Sequence, residues 1–170
     1  MRILALLLVF CCSAFATNAQ TRYENERYRF SIISPDGFEV IRDYQPMIPV
    51  VFLSAPEDAN DLFRENINVA VEPFTGSAEQ YFNINLENMD KSMDGFKLIE
   101  KKNISINGND AVQMVYLFDY EKSQKMKNVV YLFSVKGWGY AVTCSMLEDT
   151  FKKNEKSLAT IAETMQLEVK

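Results

Sequence analysis

The sequence has no histidine, three cysteines, one tryptophan and six glycines among its 170 residues. Without histidine there is no Ser–His–Asp or Cys–His relay, no imidazole-rich zinc site and no histidine pH switch. The glycines are spread over turns, so no glycine-rich phosphate loop is present. Positive charge is short as well. Eighteen Lys and Arg stand against 23 Asp and Glu, a net charge of −5. Nucleic-acid binders usually carry a basic excess that releases counterions from phosphate, so no nucleic-acid partner is expected. No apolar run reaches the roughly 20 residues that span a bilayer as a helix, so no transmembrane segment is expected.

What is present is the material of a packed domain. Hydrophobic residues make up 48% of the chain, with twelve Phe and eight Tyr, which excludes a disordered chain. Residues 1–19 have the order of a secretory signal peptide: Arg2, the apolar run Ile3–Phe10, then small residues. Ala14-Phe15-Ala16 and Thr17-Asn18-Ala19 both suit cleavage, and the reading adopted is cleavage after Ala19. The competing reading is a lipid anchor at Cys11 or Cys12. A lipoprotein signal wants a small residue before its cysteine, and Phe10 precedes Cys11. After processing, Cys144 is the only cysteine and no internal disulfide can form. It lies in YAVTCSM, with no charged neighbour, and reads as a small apolar strand residue.

Residues 20–170 read as one domain. Thr21–Arg27 is polar and is expected to fray. Tyr28–Ile33 and Phe38–Arg42 read as two strands joined into a hairpin by Ser34-Pro35-Asp36-Gly37. Val50–Leu53 is a short strand, followed by an acidic loop over Pro56–Glu65. In Asn66–Phe74, Ile67, Val69 and Val71 share one face. Ser77 and Gln80 form a capping box, and Phe82, Leu86, Met89 and Met93 make the stripe of the helix that follows, stopped at Asp94-Gly95. A meander comes next: Phe96–Ile106, an Asn107-Gly108 turn, Ala111–Tyr120, Asn128–Val135, a Lys136–Gly139 turn and Tyr140–Met146. Two of these strands are apolar on both faces and must be covered on both. Asp149–Leu167 reads as a closing helix capped by Asp149 or Thr150. The fold class is α+β: a central antiparallel sheet of six to seven strands flanked by helices on both faces.

The segments FSIISPDGFEV, ENINVAVE, YFNINLENM, ISINGNDAVQMVY, GWGYAVTCSM and IAETMQLEV resemble the PsbP-like group. That group includes the extrinsic photosystem protein PsbP, DcrB-type bacterial envelope proteins and Ran-binding Mog-type proteins. The resemblance runs from Tyr28 to Val169 and implies an antiparallel sheet with helices on both sides. Its motifs are structural, and fold does not fix function. The histidine of the photosystem member has no counterpart here.

Candidate sites are few. Asp58, Asn60 and Asp61 place oxygen ligands at short spacing, as hard cations require, but the sixth loop position is Phe63 rather than glycine. The bland alternative is a solvated acidic loop. Ser123-Gln124-Lys125 is a poor Ser–Lys dyad in a charged tip. Trp138 and Tyr140 are candidates for partner binding, because Trp and Tyr are enriched in hot spots; the structural alternative is a tryptophan folded onto the sheet. No catalytic residue and no cofactor is expected. The functional expectation is an exported, non-enzymatic binding or accessory protein of the cell envelope, acting on an envelope protein or a small ligand. A lipoprotein with a structural role and a metal- or small-ligand-binding module are the alternatives. The mass of the exported chain is predicted to match one starting at Gln20; a lipid-bearing mass starting at Cys11 or Cys12 would contradict this.

Overall fold

The computed structural model describes residues 21–59, 61, 63–121 and 124–168. The expected signal peptide and Cys11 and Cys12 lie outside these residues, as do Asn60 and Ser123. Twelve elements are formed among the described residues. They are β1 (Arg22–Asn25), β2 (Phe30–Ile33), β3 (Glu39–Gln45), β4 (Ile48–Leu53), β5 (Asn66–Pro73), α1 (Ala78–Ser92), β6 (Lys97–Ile106), β7 (Asn109–Asp119), β8 (Lys125–Val135), β9 (Trp138–Leu147), α2 (Phe151–Ala162) and β10 (Gln166–Leu167).

Strands β3 to β9 form a seven-stranded sheet in the order β3-β4-β5-β9-β8-β7-β6, with every neighbouring pair antiparallel. The turns of the meander follow from glycine chemistry. Asn107-Gly108 (φ 51° and 80°) and Lys136-Gly137 (φ 48° and 85°) both take two successive left-handed residues, as a two-residue hairpin requires. Strand β8 is buried on both sides. Val129, Tyr131 and Phe133 face one way and Val130 and Leu132 the other, all at 2% exposure or less.

Each face has its own cover. Helix α1 brings Ala78, Tyr81 and Phe82 onto Val112, Met114, Tyr116, Val130 and Leu132, with Leu86, Met89 and Met93 packed beside them. Ser77 accepts from the Gln80 N–H at 3.1 Å and Gln80 Oε1 accepts from the Ser77 N–H at 2.8 Å, so the expected capping box forms. On the opposite face Phe151, Leu158, Ala162 and Met165 join Ile67, Val69, Tyr131, Phe133, Val142 and Cys144. The α+β sandwich with helices on both faces is the observed fold.

Three expectations are corrected. Strands β2 and β3 do not pair: β2 lies between β1 and β10 in a separate three-stranded sheet, and β3 pairs β4. Phe30, Ser31 and Ile32 are all buried, so β2 needs partners on both sides and a cover, whereas β3 is mostly exposed and suits an edge. The Pro35–Gly37 turn carries the chain from one sheet to the other. Residues 22–25 are a strand, because Tyr23 is 4% exposed, packs on Phe30 and Phe52 and donates its hydroxyl to the Pro49 carbonyl at 3.0 Å. The closing helix ends at Ala162. Asn107 Nδ2 donates to the Glu163 and Met165 carbonyls, and Leu167 then pairs with Phe30.

Gly139 shows how tightly α1 is seated. A Cβ there would stand 2.7 Å from Tyr81 Cζ and 3.1 Å from Phe74 Cβ. The Tyr81 ring cannot retreat, since its hydroxyl donates to Glu72 Oε1 at 2.7 Å and its ring lies 4.8 Å from Phe74. Gly139→Ala is therefore predicted to destabilise the domain by about 1–3 kcal/mol. Urea denaturation checks this; an unchanged midpoint would contradict the packing.

Candidate functional site

The site is built where the end of β4, the start of β5 and α2 meet. Ser54 donates its backbone N–H to the Glu65 carbonyl at 2.9 Å, which extends the β4–β5 pairing by one step and fixes Glu65 beside α2. The Glu65 side chain points inward and the residue is 6% exposed. Oε1 accepts from Thr150 Oγ1 at 2.9 Å and from Asn154 Nδ2 at 3.0 Å, and Oε2 accepts from Ser54 Oγ at 3.4 Å. Thr150 is the N-cap residue of α2 but makes no side-chain cap bond, because its hydroxyl is turned to Glu65. The carboxylate lies at the positive end of the helix dipole, which favours negative charge. Thus one buried acid fastens α2 to the sheet.

Arg64, its neighbour in sequence, points elsewhere. It donates to the Ser54 and Leu53 carbonyls and pairs with Glu39 at 3.2 Å. Lys153 on α2 pairs with Glu57 at 2.6 Å across the rim. Its pKa is raised, first by the hydrogen bond and charge of Glu57 and least by Glu65. No cation among the described residues lies within ion-pair distance of Glu65.

Beside these ties runs a cleft of about 760 Å³. Phe38, Leu158 and Ile161 give it an apolar wall, Glu65 and Ser54 its polar end, and Asp36 and Lys156 part of its rim. Phe38 and Ile161 are half-buried and Leu158 is buried, so the wall is continuous with the core beneath α2. The size is that of a small-molecule or side-chain pocket, and the mix of apolar surface with a few fixed polar groups is what such pockets use.

The residues singled out in the sequence fall elsewhere or are already engaged. Asp61 closes its own loop: Oδ2 accepts from the Glu57 N–H at 2.9 Å and Oδ1 from the Phe63 N–H at 3.1 Å. Asp58 offers its carbonyl to the Asp61 N–H at 3.3 Å. Among the described residues no group of three His, Cys, Asp or Glu is placed to hold a metal ion. Trp138 is half-buried and meets the Tyr28 ring edge-on, with centroids 5.3 Å apart. Tyr140 is 2% exposed and donates to the Tyr28 carbonyl at 2.9 Å, so it offers no surface to a partner. Burial raises its pKa. These two residues clamp Tyr28 to the sheet, whereas Asn66, next to Glu65, pairs Ser145. Trp138 pairs Pro73 at the far end of β5, about 23 Å from Asn66 at 3.3 Å per residue.

Glu65 itself carried no sequence signal. It closes an acidic loop like any surface glutamate, and only the fold turns it inward. Cys144 is fully buried, and desolvation pushes its thiol well above the ordinary range. In a chain starting at Gln20, Cys144 is predicted to react with Ellman's reagent only on the timescale of global unfolding; prompt reaction under native conditions would contradict its burial.

No protein-family model and no curated protein matches the sequence. Solved structures do match in shape. The chain is similar to cyanobacterial PsbP (CyanoP) from Synechocystis, with a TM-score of 0.63, 14% identity, and coverage of 94% of this chain and 98% of that one. It is similar to PA94 of Pseudomonas aeruginosa, a protein of unknown function, with a TM-score of 0.60 and 18% identity over 85% of this chain and 94% of that one. It is also similar to LpqN of Mycobacterium tuberculosis, involved in cell envelope biogenesis, with a TM-score of 0.65 and 14% identity over 88% and 90% of the two chains. The chain has the PsbP-like fold. At these identities the likeness speaks for the fold alone.

Proposed function

We propose that this chain is an exported, non-catalytic binding protein of the cell envelope, and that it binds through the cleft beside α2. The cleft carries the reading: about 760 Å³, with an apolar wall and one inward-facing carboxylate at its end. Export is supported by the signal-like order of residues 1–19. A role in the envelope is supported by the likeness to LpqN, whose own role lies there. The non-catalytic part is supported by the sequestered Cys144 and by the absence of histidine from the sequence. Glu65 already accepts from Thr150, Asn154 and Ser54, which fixes its carboxylate at the end of the cleft.

The test compares the two ends of the sheet. A photo-crosslinker is placed at Ser157, on the cleft, and in a second protein at Lys136, beside Trp138, and both are exposed to envelope extract. Adducts are predicted from Ser157 at about tenfold the yield from Lys136, as expected for one energetically dominant site. Equal yields, or more from Lys136, would overturn the cleft and restore Trp138 as the binding surface.

A further inference from the structure

We infer that the cleft beside α2 is selective for a primary ammonium carried on an aliphatic stem, as in an alkylamine or a lysine side chain, with Glu65 as its counter-ion. The inference rests on the proposed use of this cleft and adds the chemistry of what enters it. Glu65 is a charged group removed from water, at 6% exposure. All three of its donors are neutral: two hydroxyls and one amide. Its partners are these neutral groups and the start of α2, and no cation among the described residues is in ion-pair contact with it.

The two oxygens are not equally used. Oε1 has two donors at 2.9 and 3.0 Å, whereas Oε2 has one, at 3.4 Å. A carboxylate offers about four lone-pair positions, so acceptor capacity is left on Oε2. Two of the nearby cations are paired elsewhere, and a third, Lys156, stands on the rim of the cleft. Arg64 is spent on two backbone carbonyls and Glu39, and Lys153 on Glu57. The cleft that reaches Glu65 is walled by Phe38, Leu158 and Ile161, which suit methylenes. An ammonium with a short apolar stem satisfies both ends at once: its N–H groups meet Oε2 in a charge-assisted bond, and its stem covers the apolar wall. A carboxylate ligand would face Glu65 with like charge, and an alcohol of the same length would gain the wall without the ion pair.

The test uses the mature chain and three probes of equal stem: hexylammonium, hexanol and hexanoate. Binding is followed by amide chemical shifts at Ser54, Glu65, Leu158 and Ile161. Hexylammonium is predicted to bind about tenfold more tightly than hexanol, and hexanoate to bind more weakly than either. In Glu65→Gln the preference for the ammonium should disappear while hexanol binding stays. Because that change touches the tie to α2, Ser157→Trp serves as a second variant: it leaves Glu65 in place, occludes the mouth and should weaken all three probes together. A blocked lysine-containing tripeptide, with its norleucine analogue as the uncharged control, is compared with hexylammonium to separate a side chain on a partner from a free amine. Tighter binding of the lysine peptide than of hexylammonium assigns the ligand to a polypeptide, and the reverse assigns it to a free amine. Equal binding of hexanol and hexylammonium in the cleft would overturn the cation selectivity and leave the cleft as a site. Absence of any shift at the four positions with every probe would overturn both.

Discussion

Strand β8 carries apolar side chains on both of its faces from Val129 to Phe133, so each face of the sheet needs a separate cover. The architecture follows from meeting that need twice. Helix α1 covers one face through Tyr81 and Phe82, and α2 with β1, β2 and β10 covers the other. Each fully buried large side chain is worth about 1.5–3 kcal/mol, so either cover is sustained by its own set of contacts. A face left open would place Val130 and Leu132, or Tyr131 and Phe133, in water.

The two covers differ in how their ends are fastened. Helix α1 has a reciprocal capping box made from its own first turn. The start of α2 depends on a residue more than 80 positions away in the chain, since Thr150 and Asn154 both donate to Glu65. That long-range tie puts a carboxylate on the inner side of α2 and leaves a cleft between the helix, the end of β4 and the Pro35–Gly37 turn. The same charge that orders the helix therefore gives the cleft its polar end. One side chain both ties α2 to the sheet and gives the proposed binding cleft its charge.

Much of this fold was legible because it is local. Ile67, Val69 and Val71 alternate, Ser77 and Gln80 sit at capping-box spacing, and Asn107-Gly108 has the chemistry of a tight hairpin turn. What escaped depends on contacts distant in sequence. Nothing near Phe30 says that its strand pairs with Leu167 rather than with Val40. Tyr23 hides in a polar segment, and its burial is set by Phe52 and the Pro49 carbonyl. The site was less legible still. Trp138 and Tyr140 drew notice by residue type, yet Tyr140 is spent on a backbone carbonyl inside the core. Glu65 looked like one more loop acid until the fold brought α2 against it.

The α2 cleft is proposed as the place where this protein meets its ligand. Chemical-shift mapping of a chain starting at Gln20 against fractionated small molecules from cell envelopes is the direct test. Shifts are predicted to concentrate at Ser54, Glu65, Leu158 and Ile161, around one end of the sheet. Shifts centred instead on Tyr28, Lys136 and Trp138, with the cleft unmoved, would contradict it.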